Sequence, residues 1–402
     1  MLKENKKREF YFIVIGIFMI VVLLLLPTGY EGATIYKEAE RCKVKVLSTD
    51  ESNIVSSGLI QSGEQTCRIR VMNGRFKGME LNGVNMLSGS LENDKIYEIG
   101  DQALAVISMD EEGNPTKVTM SDYYRLDKEA ILAFVFILFL ILIAGKNGFR
   151  AIFSFVISIM LIWKVLVPLY LKGYNPIITG LLITAFLTAM IIYFVYGTDI
   201  KSVSAISGSM LGTITTCIMG ILFTDVFKIH GAVMSYSESL LYAGYQHLNL
   251  TSIFMSSIFI GASGAMMDLA VDITSAVNEV IEKKPEIGWR EAFVSGMNVG
   301  RAAMGTMTTT LLLAYSGGYI ALLMVFMAQG TPVIHILNYK YVSAEILDTM
   351  VGSFGLVTVA PFTALTSSLL LTGKYKKIPD HKQIQESDCE NRKENIGKDN
   401  PE

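Results

Sequence analysis

Two aspartates lie one helical turn apart in a stretch that is otherwise small and apolar, GASGAMMDLAVDITSAVNEV (residues 261–280). At about 100° per residue, Asp268 and Asp272 fall on one face of a helix. The same face carries Gly261, Gly264, Ser275 and Glu279. Carboxylates inside a membrane usually mark the path of a proton or a cation. We therefore expect the two aspartates to bind a proton or a cation. Glu279 lies near the end of the segment, and its simplest interpretation is a solvated charge.

A cationic side chain that can balance these acids lies on the next apolar segment, GMNVGRAAMGTMTTTLLLAYSGG (residues 296–318). A hairpin that turns at residue 286 or 287 places Arg301 level with Asp272. The guanidinium would then hold the carboxyl group deprotonated, and a competing proton or cation would switch the pair. The remaining side chains that we expect to line an ion or substrate pathway here are Asn298, Thr308 and Thr309.

The small residues of both segments predict close helix packing. Gly296 and Gly300 form a G-x-x-x-G pair, a pattern typical of membrane helices in contact. Further glycines expected to allow close approach are Gly261, Gly264 and Gly305. The threonine run has a structural alternative, because hydroxyl groups in membrane helices often bond to backbone carbonyls or join helices together.

The sequence has no motif for several other chemistries. It has no P-loop, no H-E-x-x-H, no C-x-x-C and no nucleophile motif. The four histidines include no pair at i, i+4 spacing, so a helical metal site is not indicated. A basic stripe interleaved with aromatic residues is also missing. We therefore expect no enzyme activity, no cofactor, no metal and no nucleic-acid partner.

The elements that must position these residues are predicted to be membrane helices. Hydrophobic residues make up 51% of the 402-residue chain and charged residues 18%, below the roughly 25% of soluble domains. The apolar residues form long blocks, which predicts an all-α polytopic membrane bundle of about eight transmembrane helices. The predicted spans are 10–26, 129–144, 151–171, 176–196, 203–224, 251 through 280, 302–327 and 350–371.

The chain divides into four predicted parts. Residues 1–27 form a basic N-terminus and an anchor helix, for which a cleaved signal peptide is the competing interpretation. Residues 28–127 alternate with a period of two in the segments CKVKVLS, CRIRVM, ALAVIS and KVTM, which predicts a small β-rich domain, either a barrel or a sandwich. Residues 128–373 form a seven-helix membrane domain. Residues 374–402 are polar and are predicted to be a disordered cytoplasmic tail.

Basic residues predict the orientation. Lys146 with Arg150, and Lys283 with Arg290, fall in connectors on one side, as the positive-inside bias requires. Both termini are therefore expected in the cytoplasm and the β-rich domain outside it. In an oxidising space Cys42 and Cys67 could form a disulfide; two buried free thiols are the equal alternative.

The segments 261–280 and 296–318 resemble the signature pair of the bacterial YibE/F-like family, and RVMNGRFKGMELNGVNMLSG (70–89) resembles the extracytoplasmic segment of that family. The resemblance covers about residues 40 to 373 and implies a multi-span protein of the bacterial plasma membrane with an N-terminal anchor helix. Two positions depart from the family pattern. Ala302 stands where members commonly have an acidic residue, and Thr309 where they commonly have Asn.

These observations favour a membrane transporter or permease, coupled to a proton or cation through the Asp/Arg/Thr residues. The alternative is a non-transporting scaffold or export accessory that acts through its extracytoplasmic domain. Expected partners are the lipid bilayer together with a small solute, an ion or an exported protein. A second copy of the chain is a further candidate partner.

Overall fold

A computed structural model describes residues 2–32 and 39–375, and the side chains of residues 12–32 and 39–374. The predicted tail from 376 onward lies outside the described residues. Two compact units are present. One is formed by residues 29–148, and the other by the N-terminal helix together with the chain from residue 149 onward.

The first unit contains a closed barrel of five strands in the order β1-β2-β3-β5-β4. The strands are β1 (Ala39–Ser57), β2 (Ile60–Val71), β3 (Glu80–Ser88), β4 (Gln102–Met109) and β5 (Pro115–Tyr123). Neighbouring strands pair antiparallel, except that β3 and β5 pair in parallel. All five strands fall inside the predicted segment 28–127.

The barrel closes because apolar side chains alternate along its strands. Val44, Val46 and Ile69 are completely buried in its interior, as the period of two in the sequence predicts. The strand β3 was not predicted, since Asn and Gly in LNGVN are typical of turns. Asn85 is nevertheless buried there, because its amide donates hydrogen bonds to Gln65 Oε1 (3.1 Å) and to the Lys95 carbonyl (2.6 Å).

Helices form most of the remaining chain. They are α1 (Leu2–Leu25), α2 (Leu126–Leu161), α3 (Val167–Leu171), α4 (Pro176–Tyr196), α5 (Ile200–Val226), α6 (Ser237–Tyr242), α7 (Leu250–Lys283), α8 (Trp289–Ser316), α9 (Ile320–Ala328), α10 (Val333–Leu337) and α11 (Lys340–Tyr375). Side-chain caps fix the first residue of three helices, α4, α5 and α7. Asn175, Asp199 and Asn249 each accept a hydrogen bond from the first turn of the helix that follows.

Within the described part of the chain, six helical stretches are long and apolar enough to cross a membrane, so the predicted number of about eight is wrong. Two predicted spans, 129–144 and 151–171, belong to one stretch of 46 residues, Leu126–Leu171. Gly145 separates the stretch into two helical parts, because its backbone is not helical (φ 54°, ψ −124°) and its positive φ favours glycine. The part of α1 whose side chains the structure describes has one apolar run, Phe12–Leu25, which is shorter than a full span.

The core of the second unit is built from α5, α7, α8 and α11. Small residues bring α5 and α11 together: a Cβ added at Gly212 would lie 2.1 Å from Val359 Cγ2. Buried hydroxyls join three helices, since Ser367 Oγ lies 2.7 Å from Ser204 Oγ and 3.0 Å from Thr274 Oγ1. The helix α7 therefore has a buried face toward α5 and α11, and this fixes the direction of its opposite face.

Candidate functional site

The predicted acidic face of α7 is its exposed face. The side chains of Asp268 and Asp272 are exposed, and Met266, Leu269 and Ile273 on the other side are completely buried. The other exposed members of the stripe are Gly261, Gly264, Ser275 and Glu279. The helix thus turns its apolar residues into the bundle and leaves the carboxylates on an open surface, which we call the acidic face.

The acidic face lies between two other helices. On one side, the Tyr196 hydroxyl at the end of α4 donates a hydrogen bond to the Val271 carbonyl at 2.6 Å and also contacts Ser275 Oγ. On the other side, α8 packs closely, because a Cβ added at Gly300 would lie 3.1 Å from Ile273 Cδ1. The acidic face therefore lies between α4 and α8, and we call this strip of surface the groove.

The α7–α8 hairpin has the predicted register. Gly296 contacts Val277 and Gly300 contacts Ile273, and both pairs are centred on residues 286 and 287. Asp272 and Arg301 are centred on the same point, so these two residues lie level on neighbouring helices.

The predicted ion pair is not formed in this structure. Among the described residues no ion pair within 4.0 Å joins Arg301 to Asp268 or Asp272. The Arg301 guanidinium is exposed and donates a hydrogen bond to Asn298 Oδ1 at 3.4 Å. The site therefore holds two acids and one base on an open surface, at matched height but apart.

The threonine hydroxyls bond within their own helix. Thr308 donates to the Met304 carbonyl at 2.9 Å, and Thr309 donates to the Gly305 carbonyl at 3.1 Å. This is the structural role that the sequence left open, and it leaves only the acceptor side of each hydroxyl for a ligand.

The five glycines have different surroundings. Gly296 and Gly300 are buried against α7 and α11, and Gly261 lies under the Tyr315 hydroxyl, 2.8 Å from where a Cβ would stand. Gly264 and Gly305 face open space, so the expectation that they pack against a neighbouring helix of the same chain does not hold among the described residues.

Cys42 and Cys67 are completely buried free thiols. They lie on neighbouring strands, but Cys67 pairs with Thr49, seven residues along β1 from Cys42, so a disulfide would require a different register. Burial raises the pKa of both thiols to about 11, with the Glu40 carboxylate adding to the effect at Cys42 and that of Glu51 at Cys67.

Sequence reasoning missed a second acidic pair, Glu345 and Asp348, in the first turns of α11. Tyr319 lies beside Glu345, while Glu345 Oε1 and Asp348 Oδ1 are buried without a hydrogen-bond partner. The i, i+3 spacing of the two acids indicates that they share one face of a helix. The predicted span began at residue 350, so both acids fell outside it. Among the described residues no three His, Cys, Asp or Glu side chains are grouped so as to hold a metal ion.

Comparison with models of known protein families gives a match. The family model described as YibE/F-like protein matches residues 132–373, which is more than half of the chain and includes α7, α8 and all but the last two residues of α11. No curated protein and no solved structure matches the sequence.

Proposed function

The chain belongs to the YibE/F-like family, and from this premise and the geometry of the site we propose that it is a membrane-embedded transporter or permease coupled to a proton or cation. Asp268 takes up and releases the coupling ion, and Arg301 is the counter-charge that stabilises the ionised state. Asp272, Asn298 and the threonines of α8 line the groove through which the ion moves.

Apolar surface supports the membrane environment. The most apolar part of Leu126–Leu171 has no buried residue, and Ile143 in it is 82% exposed. Such a surface is stable in lipid and aggregates in water. From the basic connectors we infer that both termini lie in the cytoplasm of a bacterial cell and that the barrel lies outside the plasma membrane.

The observation that carries the transport proposal is the direction of the acidic face. Asp268 lies 18 residues into α7, roughly 27 Å along the helix at 1.5 Å per residue, which is still within reach of a ~30 Å hydrocarbon core. A charge exposed to lipid costs roughly 2.5–3.5 kcal/mol at the bilayer centre and less near the boundary where Asp268 lies, so we infer that water or protein covers this part of the groove. Water in a groove that reaches an intramembrane carboxylate is what a coupling site needs.

Charge displacement tests this function without knowledge of the solute. The full chain is reconstituted in liposomes on a solid-supported membrane, and the solution is switched to lower pH or to added Na⁺. Ion binding to Asp268 within the bilayer moves charge and gives a transient current. We expect Asp268→Asn to abolish the current, because an amide cannot bind the ion.

Glu279→Gln is the matched control, since Glu279 lies on the same face but is paired with Lys283 at 2.6 Å near the end of α7. It should keep the wild-type current. A wild-type current no larger than that of protein-free liposomes in both solutions would rule out the proposed coupling, as would an unchanged current in Asp268→Asn.

A second candidate function is binding of an exported molecule by the barrel. In OB-type domains, which are also five-stranded Greek-key barrels, the face of the second and third strands binds extended ligands. Here β2 and β3 carry Arg68 and Arg70, both paired with Glu80, beside the 63% exposed Met86. Deleting residues 31–125 separates the two functions, because a transporter core keeps its charge displacement and a barrel-dependent accessory loses its activity.

A further inference from the structure

We propose that the groove is completed by a second copy of the chain, which docks on α7 and α8 about a two-fold axis along the membrane normal. Arg301 of each copy then faces Asp272 of the other copy. This inference rests on the proposed membrane embedding but not on transport, and it names the partner that the open face lacks.

The first argument is the exposure of unpaired charges. Asp268, Asp272 and Arg301 are all exposed, and within the described chain none of them forms an ion pair with another. An uncovered charge is costly at Asp268, which lies at the inner end of the hydrocarbon core, whereas Asp272 and Arg301 lie about one helical turn further toward its boundary. The stretch that follows these charges is also exposed: only 6% of the most apolar part of Trp289–Ala328, which includes the end of α8 and all of α9, is buried, against 50% for Lys340–Lys374.

The second argument is charge complementarity of the face with itself. In a two-fold interface the same patch occurs on both sides, so the patch must carry both members of every contact. This patch does, with two acids on α7 and one base on α8. When the axis passes between α7 and α8, each α7 opposes α8 of the other copy.

The third argument is depth. A two-fold axis along the membrane normal keeps every residue at its own height, so residues that are level within one chain are also level between copies. The hairpin register makes Asp272 level with Arg301. By the same register Gly305 is level with Asp268. The partner's guanidinium is therefore offered at the height of Asp272, and Asp268 faces a backbone without a side chain.

The fourth argument is the absence of bulk at the centre of the face. A Cβ at Gly264 or Gly305 would meet no atom within 4 Å, and both residues are exposed. The small Ala302 on α8 is also exposed. Membrane helices approach closely through small residues. Since Gly296 and Gly300 already serve that purpose within the chain, the open glycines are free to do so between copies.

The numbers of acidic and basic groups in the dimer also suit an ion-binding site. Each dimer has two Arg301 guanidinium groups and four carboxylates from Asp268 and Asp272. Pairing across the axis uses Asp272 and leaves one Asp268 in each copy free to bind a proton or cation. Within one chain Arg301 lies level with Asp272 but does not pair with it. Arg301 of the second copy thus supplies the counter-charge for Asp272.

Complementation between chains tests the inference. Two differently tagged copies are expressed together, extracted in mild detergent and purified through one tag, and the amount of the second tag is measured. Wild-type copies should co-purify. Asp272→Arg in both copies, or Arg301→Asp in both, should reduce co-purification roughly tenfold or more, because like charges then face each other.

The decisive sample combines one Asp272→Arg chain with one Arg301→Asp chain. In that heterodimer one contact pairs the new arginine with the new aspartate and the other is the wild-type pair, so co-purification should return to the wild-type level. A pair within one chain predicts the opposite, because each chain then holds two like charges. A chain carrying both substitutions should also co-purify with itself, which shows that the variants fold.

A disulfide reporter fixes the location of the contact. When both chains carry Cys389→Ser, which removes the C-terminal cysteine, Gly305→Cys in one chain should form an interchain disulfide with Asp268→Cys in the other in membranes under oxidising conditions. Leu182→Cys, at a 65% exposed position on α4 outside the proposed contact, should not. Wild-type chains that fail to co-purify, or a mixed sample no better than the single variants, would overturn the dimer. Charge displacement is measured separately, so loss of the dimer and loss of transport can be told apart.

Discussion

At the scale of single residues, the sequence predicts which side chains share a face and fails to predict which pairs form. The stripe from Gly261 to Glu279 follows from helix geometry alone, and it is the exposed stripe of α7. The pairing of Arg301 with Asp272 was expected from their equal height. The pair does not form within the chain, because equal height along the helices fixes neither the rotation of α8 nor the direction of a long, flexible side chain. Arg301 contacts Asn298 instead.

The buried glycines of α8 allow a prediction at this scale. A Cβ at Gly300 would stand 2.9 Å from Ala360 Cβ and 3.1 Å from Ile273 Cδ1, so Gly300→Ala must push α8 away from α7 and α11. We expect a loss of about 1–3 kcal/mol of stability, typical of overpacking, seen as a lower unfolding temperature of the detergent-solubilised chain. Gly373→Ala is the control, since a Cβ there meets no atom within 4 Å. Equal unfolding temperatures for the two variants would contradict the packing described here.

At the scale of elements, the four strands with clear alternation were predictable, and β3 was not. Its Asn85 and Gly83 look like turn residues, and they are tolerated because Asn85 bonds to Gln65 and Gly83 allows Met120 to approach, with a Cβ 2.9 Å from Met120 Sδ. These are contacts distant in sequence, which periodicity does not detect. The number of apolar stretches differs from the prediction because the two helical parts on either side of Gly145 follow each other without an intervening loop and form one stretch, Leu126–Leu171.

The connection between β3 and β4 provides a pH-dependent prediction. Hydrogen bonds from Ser88, together with the backbone N–H groups of Gly89 (2.6 Å) and Ser90 (2.8 Å), lower the pKa of Asp94 below its usual value near 4. A lowered pKa means that the carboxylate stabilises the fold above the unfolded-state value, and that this contribution is lost as the pH falls through the folded-state value.

We therefore expect Asp94→Asn to speed amide hydrogen exchange across residues 88–101 of the full chain at neutral pH. The difference from wild type should shrink below about pH 4. Mass spectrometry of peptic peptides measures the exchange. Glu92→Gln, an exposed acid in the same connection, should leave it unchanged. Equal exchange in wild type and Asp94→Asn at neutral pH would show that the carboxylate does not hold this connection.

At the scale of the whole molecule, family membership and the six apolar stretches agree with the membrane architecture expected from composition. The open polar groove between α4 and α8 was not predictable, because it depends on which faces of α7 are covered by α5 and α11. A chain that covers every face of α7 except the charged one presents its polar surface to a partner, to water, or to both. The transport proposal and the two-fold dimer are both consequences of that single arrangement.

Carbodiimide modification of Asp268 tests this arrangement most directly. Dicyclohexylcarbodiimide partitions into lipid and reacts with protonated carboxyl groups, so membranes containing the full chain are treated over a range of pH and the modified peptides are identified by mass spectrometry. The account predicts that Asp268 is modified, that modification declines as the pH rises, and that Glu279, outside the bilayer, is not modified. An Asp268 that stays unmodified at every pH, or that reacts no more than Glu279, would contradict a titrating carboxyl group on an open face inside the membrane.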